Sequence, residues 1–139
     1  MKKELIDTNP ILKLSFDFSL MIIDYTEHLE LLKRFNLANQ LFRSGTSIGA
    51  NAMEAQNAES KADFIHKMKI SAKECEETQY LLFLCKYAKN YPDCDLLILK
   101  LEEISKILSK ILQSSKKNNP VSFVWAFISY FTLNVLLHK

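Results

Sequence analysis

Apolar residues recur in steps of three and four at Ile11, Leu14, Phe18, Met21, Tyr25, Leu29 and Leu32, one stripe of a helix that Pro10 is suited to begin. Lys13, Asp17, Asp24 and Glu27 fall on the opposite face. A break over Lys33 to Asn36 leads to a second pattern at Leu37, Leu41, Ile48 and Ala52, with Gly45 and Gly49 inside it. Each glycine costs a helix about 1 kcal/mol relative to alanine, so close approach by another helix is the expected compensation. Ser60 followed by Asp63 resembles a capping box and predicts a third helix from about Ala62 to Ala88. Its packed side carries Ile65, Met68, Ala72, Cys75, Gln79 and Leu82, while Lys69, Lys73, Glu76 and Glu77 lie elsewhere on it. Asn90, Pro92 and Asp93 mark a turn, and Leu97, Leu101, Ile104, Leu108 and Ile111 make the cleanest stripe, with Glu102 and Lys106 four apart on the wet side.

Four amphipathic helices joined by short turns imply antiparallel neighbours, so the predicted fold is all-α, an antiparallel up-down-up-down four-helix bundle. The bundle is assigned to residues 1–117 and a hydrophobic C-terminal tail outside it to residues 118–139. Composition agrees, because 139 residues are enough for one domain with a core, and only two Gly and three Pro leave little material for the turns of a β protein.

The tail has a different character. Val121 to Leu137 are 17 residues without a charge, with Phe123, Trp125, Phe127, Tyr130 and Phe131 among them. A membrane-spanning helix needs roughly 17 to 25 apolar residues, and Ser122, Ser129, Thr132 and Asn134 dilute this stretch. A membrane contact through residues 121–137 is therefore disfavoured against a docking segment or an accidental extension. Pro120, after Asn118 and Asn119, is expected to end the fourth helix and set the tail apart.

Charge and candidate chemistry exclude more than they assign. A net charge of +2 is too small to imply a nucleic-acid partner by itself. Cys75, Cys85 and Cys94 are an odd number at wide spacing, which fits neither a disulfide framework nor a zinc site and points to a reducing, cytoplasmic setting. The start, MKKELIDTNP, lacks the apolar run of a signal peptide. His66 has no second His at helical spacing, and Glu54, Glu74, Glu76 and Glu77 lack the Glu-x-x-His pairs of a di-iron bundle, so these carboxylates read as surface charges or intersubunit ion pairs. Ser44, Thr46 and Ser47 lack the glycine spacing and lysine of a phosphate loop and fit a helix crossing better. Cys75 reads as a small core residue. No catalytic residue, metal or cofactor is expected.

The segment RSGTSIGANAMEAQNAESKADFIHKMKISAKECEETQYLLFL, Arg43 to Leu84, resembles the bacterial four helix bundle proteins known from open reading frames in intervening sequences of 23S ribosomal RNA genes. The likeness lies in SGTSIGAN, then EA, a Ser-Lys-x-Asp-Phe turn and a Lys-Glu-x-x-Glu-Thr run, with helices placed to extend it from about Leu5 to Lys117. The resemblance implies a small cytoplasmic bundle that forms a homo-oligomer, with a ring-shaped pentamer the usual form, and no catalytic residues. An accessory protein of diversity-generating retroelements is similar in fold and works beside nucleic acid. This chain lacks the Arg expected near Met53 and the Arg and Trp expected among Thr78, Gln79, Tyr80 and Leu81.

Two functions follow as expectations. The first is a non-enzymatic oligomeric scaffold that buries Gly45, Ile48, Ala52 and Ala55 together with Tyr80 and Phe83 against other copies. The second is binding of RNA or DNA by a basic rim formed on assembly, from Lys61, Lys67, Lys69, Lys73, Lys86 and Lys89.

Overall fold

The computed structural model describes residues 3–116, all of whose regular structure is helical. A short α1 (Lys3–Thr8) leads into α2 (Pro10–Leu31), followed by α3 (Phe35–Ala55), α4 (Lys61–Tyr87) and α5 (Asp95–Lys116). The long helices α2 to α5 pack in a closed ring in chain order, α5 returning to α2. Their antiparallel register is written in the contacts. Ser15 of α2 lies against Gly49 of α3, and seven residues on Ile22 lies against Gly45. Across α3 and α4, Arg43 reaches Glu74 and Glu77, Ser71 Oγ donates to the Ile48 carbonyl at 2.8 Å, and Lys67 pairs with Glu54 at 2.7 Å. Cys94 Sγ beside the Leu82 carbonyl and, seven residues on, the Leu101 carbonyl beside Cys75 Sγ do the same for α4 and α5. The up-down-up-down bundle expected from the sequence is the fold.

Local chemistry sets where the helices stop. Ser60 Oγ accepts from the Asp63 amide at 3.1 Å, and Asp63 Oδ2 accepts from the Glu59 amide at 3.2 Å, so both residues satisfy amides at the start of α4. At the end of α2, Arg34 N–H donates to the Leu29 carbonyl and Lys33 N–H to the Glu30 carbonyl, both at 2.8 Å. Those two bonds and the positive φ of 60° at Lys33 form a Schellman ending with lysine where glycine is usual. Asn90, with φ 62°, turns the chain between α4 and α5, and Tyr25 Oη donates to the Pro92 carbonyl at 2.9 Å, tying α2 to that turn.

The predicted stripes hold in part. Phe18, Tyr25 and Leu29 of α2 are buried, but Ile22 rather than Met21 fills the core position and Leu32 is exposed. On α4, Met68, Cys75 and Leu82 point inward, whereas Ile65, Ala72 and Gln79 lie at the margin and Phe64, Ser71, Thr78, Leu81 and Cys85 take the remaining inward places. The small hydroxyl residues permit tight helix approach because each finds a partner inside the bundle. Ser15 Oγ donates to the Ile11 carbonyl, and Thr78 Oγ1 lies 3.0 Å from Ser44 Oγ. Asn9, buried between α1 and α2, donates to Gln56, while its Oδ1 has no partner among the described residues. The assignment of residues 118–139 as a separate tail, and of residues 121–137 as a membrane or docking segment, lies outside the described residues. Among those residues no helix is long and apolar enough to cross a membrane.

Candidate functional site

The six residues expected at an oligomer interface separate into two groups. Gly45, Ile48, Ala52 and Ala55 face inward from α3 and are buried in the chain's own core, so they have no surface left to offer another copy. The reason is geometric: a slim α3 lets α2 approach until a Cβ placed on Gly45 would meet Ile22, so the small-residue face is consumed inside the bundle. Tyr80 and Phe83 are exposed, at 64% and 42%.

These two belong to a longer feature. On α4, Lys69, Lys73, Glu76, Tyr80, Phe83 and Tyr87 recur at steps of three and four, all exposed, on the side opposite Met68, Cys75 and Leu82. Leu84 flanks the stripe and is also exposed, and Tyr87 reaches 80% exposure. A single charged margin thus runs into four large apolar side chains on about 11 Å of helix. The steps of three and four that make this stripe are present in the sequence, but neighbouring stripes on α4 are as regular, so spacing alone does not say which faces outward.

The six lysines of the expected basic rim do not act alike. Lys67 pairs with Glu54 and Lys86 with Asp95, so these two already face carboxylates of their own chain. The pKa values of Lys67 and Lys86 are raised, first by the hydrogen bond to that carboxylate. Lys69 and Lys73 stand on the outer stripe of α4, Lys61 opens that helix and Lys89 follows its end. The lysines therefore run along α4 rather than converging on one patch. The acidic residues are surface charges, and three of them, Glu54, Glu74 and Glu77, pair across α3 and α4 within one chain.

The three cysteines are buried. Cys75 and Cys85 are enclosed in the core, and desolvation pushes both thiols up from 9.0 to about 11. Cys94 shifts upward for the same first cause, and burial also raises the Tyr25 phenol. No cluster of three metal-binding side chains occurs among the described residues. His66 is exposed, as its isolation in the sequence suggested.

A bundle closed by four antiparallel helices, with the SGTSIGAN segment packed against α2 and a capped Ser-Lys-x-Asp-Phe turn opening α4, defines the class of protein. The family model of the 23S rRNA-intervening sequence protein matches residues 7–110, and the chain belongs to that family. It is similar to a solved structure of a protein with unknown function from the S23 ribosomal protein family of Bacteroides thetaiotaomicron, 36% identical over 74% of this chain and 98% of that one, with a TM-score of 0.71. No curated protein matches.

Proposed function

We propose that this protein is a non-enzymatic scaffold that assembles with copies of itself, the outer stripe of α4 forming part of the contact. The observation that carries the reading is Tyr80, Phe83, Leu84 and Tyr87 standing exposed together on one helix whose opposite side already closes the core. Tyr80 and Tyr87 stand mostly in water and Phe83 and Leu84 are partly exposed, and covering the four removes apolar surface at roughly 25 cal/mol per Å². A cytoplasmic homo-oligomer, as a ring-shaped pentamer, is the form that the family resemblance implies. Sedimentation of the full chain at micromolar concentration tests it: an oligomer that Tyr80→Glu with Tyr87→Glu dissociates supports the reading, and a monomeric wild type overturns it.

Binding of RNA or DNA is a second reading, supported by Lys69 and Lys73 on the same stripe as Tyr80 and Tyr87, a pairing of cations with stacking surfaces. Titration with single-stranded RNA and DNA at low and moderate salt tests it. Affinity should fall with salt and with Lys69→Ala and Lys73→Ala, and no binding at low salt removes it.

A further inference from the structure

The α4 stripe is not the only apolar surface left open. Phe16 and Leu20 of α2 and Phe42 of α3 are 42%, 48% and 47% exposed. Their positions follow from the α2–α3 seam. Ser15 and Ile22 face Gly49 and Gly45, so Phe16, next after Ser15, and Leu20 turn outward beside that seam, and Phe42, one turn before Gly45, borders it from the other helix. Phe35, seven residues before Phe42 and 54% exposed, extends the strip. This second surface lies on another side of the bundle from the α4 stripe, because α4 packs on α3 through the opposite flank, where Ser44 meets Thr78 and Arg43 meets Glu74.

The two surfaces differ in charge. From Phe35 to Met53 the only charged residue of α3 is Arg43, which is turned to Glu74 and Glu77 on α4. On α2 the strip runs into the exposed carboxylates Asp24, Glu27 and Glu30. The α4 stripe is bordered by Lys69 and Lys73 before it and by Lys89 after it, with Glu76 the one acid within it. Tyr80 precedes Lys89 by nine residues, and Leu20 precedes Glu27 and Glu30 by seven and ten. Laid side by side in the same direction, aromatic side chains meet the apolar strip while Lys89 comes opposite Glu27 and Glu30. The shared direction also lets the same contact repeat from copy to copy.

We infer that the contact between copies is head-to-tail: the Tyr80, Phe83 and Tyr87 face of α4 on one copy docks on the Phe16, Leu20 and Phe42 strip of the next. The inference rests on self-assembly and adds which two different surfaces meet. A contact of α4 with α4 would use one face twice and leave the α2–α3 strip in water.

Mixing two variants of the full chain tests it. Leu20→Glu with Phe42→Glu spoils the strip and leaves the stripe intact, while Tyr80→Glu with Tyr87→Glu does the reverse. Each variant alone should sediment as a monomer. An equimolar mixture should form a one-to-one particle of twice the 16.1 kDa chain mass and nothing larger, because only one good contact remains. Helical content and melting establish that each variant is folded, and Leu20→Gln with Phe42→Gln replaces the first if it is not. If the strip variant alone assembles like the wild type, or if the mixture stays monomeric while the wild type assembles, the head-to-tail contact is wrong although self-assembly stands. A monomeric wild type removes both.

Discussion

A Cβ on Gly45 would lie 2.8 Å from Ile22 Cγ1 and 3.0 Å from its Cγ2, closer than carbon atoms approach without displacement. Ile22 is fully buried and has no space into which to retreat. Gly45→Ala gains about 1 kcal/mol of helix propensity and meets an overpacking cost of roughly 1–3 kcal/mol, for a net loss of about 1 kcal/mol. At Gly49 the nearest atom is the Ser15 hydroxyl at 3.2 Å, a contact that a shift of a few tenths of an ångström relieves, so Gly49→Ala should be close to neutral. Urea midpoints of the two variants check this, and equal losses would show that the seam is uniformly tight.

Lys33→Gly should stabilise the protein. The residue holds φ 60° at the end of α2, a left-handed conformation that costs a non-glycine residue about 1 kcal/mol, and its exposed side chain makes no contribution to the core. A rise in melting temperature is expected, and a fall would reveal that the lysine side chain contributes more than the strain removes.

Thr78→Val keeps the volume and deletes the hydroxyl that bonds Ser44 Oγ and the Glu74 carbonyl. Ser44, itself fully buried, is then left with only a long 3.5 Å contact to the Leu41 carbonyl, and the loss should be about 1–2 kcal/mol. Ser44→Ala added to Thr78→Val should cost less than the two single changes together, because the orphaned partner is gone. Additive losses in chemical denaturation would contradict the pairing.

Alkaline pH should weaken the fold through the buried thiols. Cys75 and Cys85 titrate at about 11 in the folded chain against 9.0 when exposed, so their contribution is complete below pH 9 and is lost as pH rises to about 11. Between those limits the unfolded chain binds fewer protons, and stability declines by up to about 1.4 kcal/mol per pH unit for each thiol. Cys75→Ala should flatten the decline in denaturation midpoint from pH 8.5 to 10.5, and an unchanged slope would place the effect elsewhere. Alkylation of the native protein at pH 8 should also be slow, and fast on unfolding.

The helices were legible because their apolar spacing and the Ser60–Asp63 cap are local facts of the chain. Rotation about each helix axis was not. Met21 and Ile22 are adjacent and equally apolar, and the glycine opposite, Gly45, decides which of them is swallowed. Ser71 and Thr78 are polar, yet they face inward because the Ser71 hydroxyl meets the Ile48 carbonyl and Thr78 meets Ser44 once α3 lies beside them. The same ambiguity holds for Gly45, Ile48, Ala52 and Ala55, buried here in the chain's own core: small residues suit any close contact, and nothing in their identity says whether the partner is the next helix or the next molecule.

The hydrogen bond from Tyr25 to the Pro92 carbonyl gives the two ends of the bundle different tolerance to added chain. Residues 88–94 join α4 to α5, yet a phenol from α2 grips this connection from beneath and Cys94 is sealed against Leu82. Extra residues inserted there would have to break a buried bond to a helix far away in sequence. The connection between Ala55 and Lys61 is tied to the bundle by the Asn9–Gln56 bond and the partly buried Ala58, while Asn57 and Glu59 stand in water, so a tag or an epitope is better accommodated beside these two exposed residues than in the 88–94 connection.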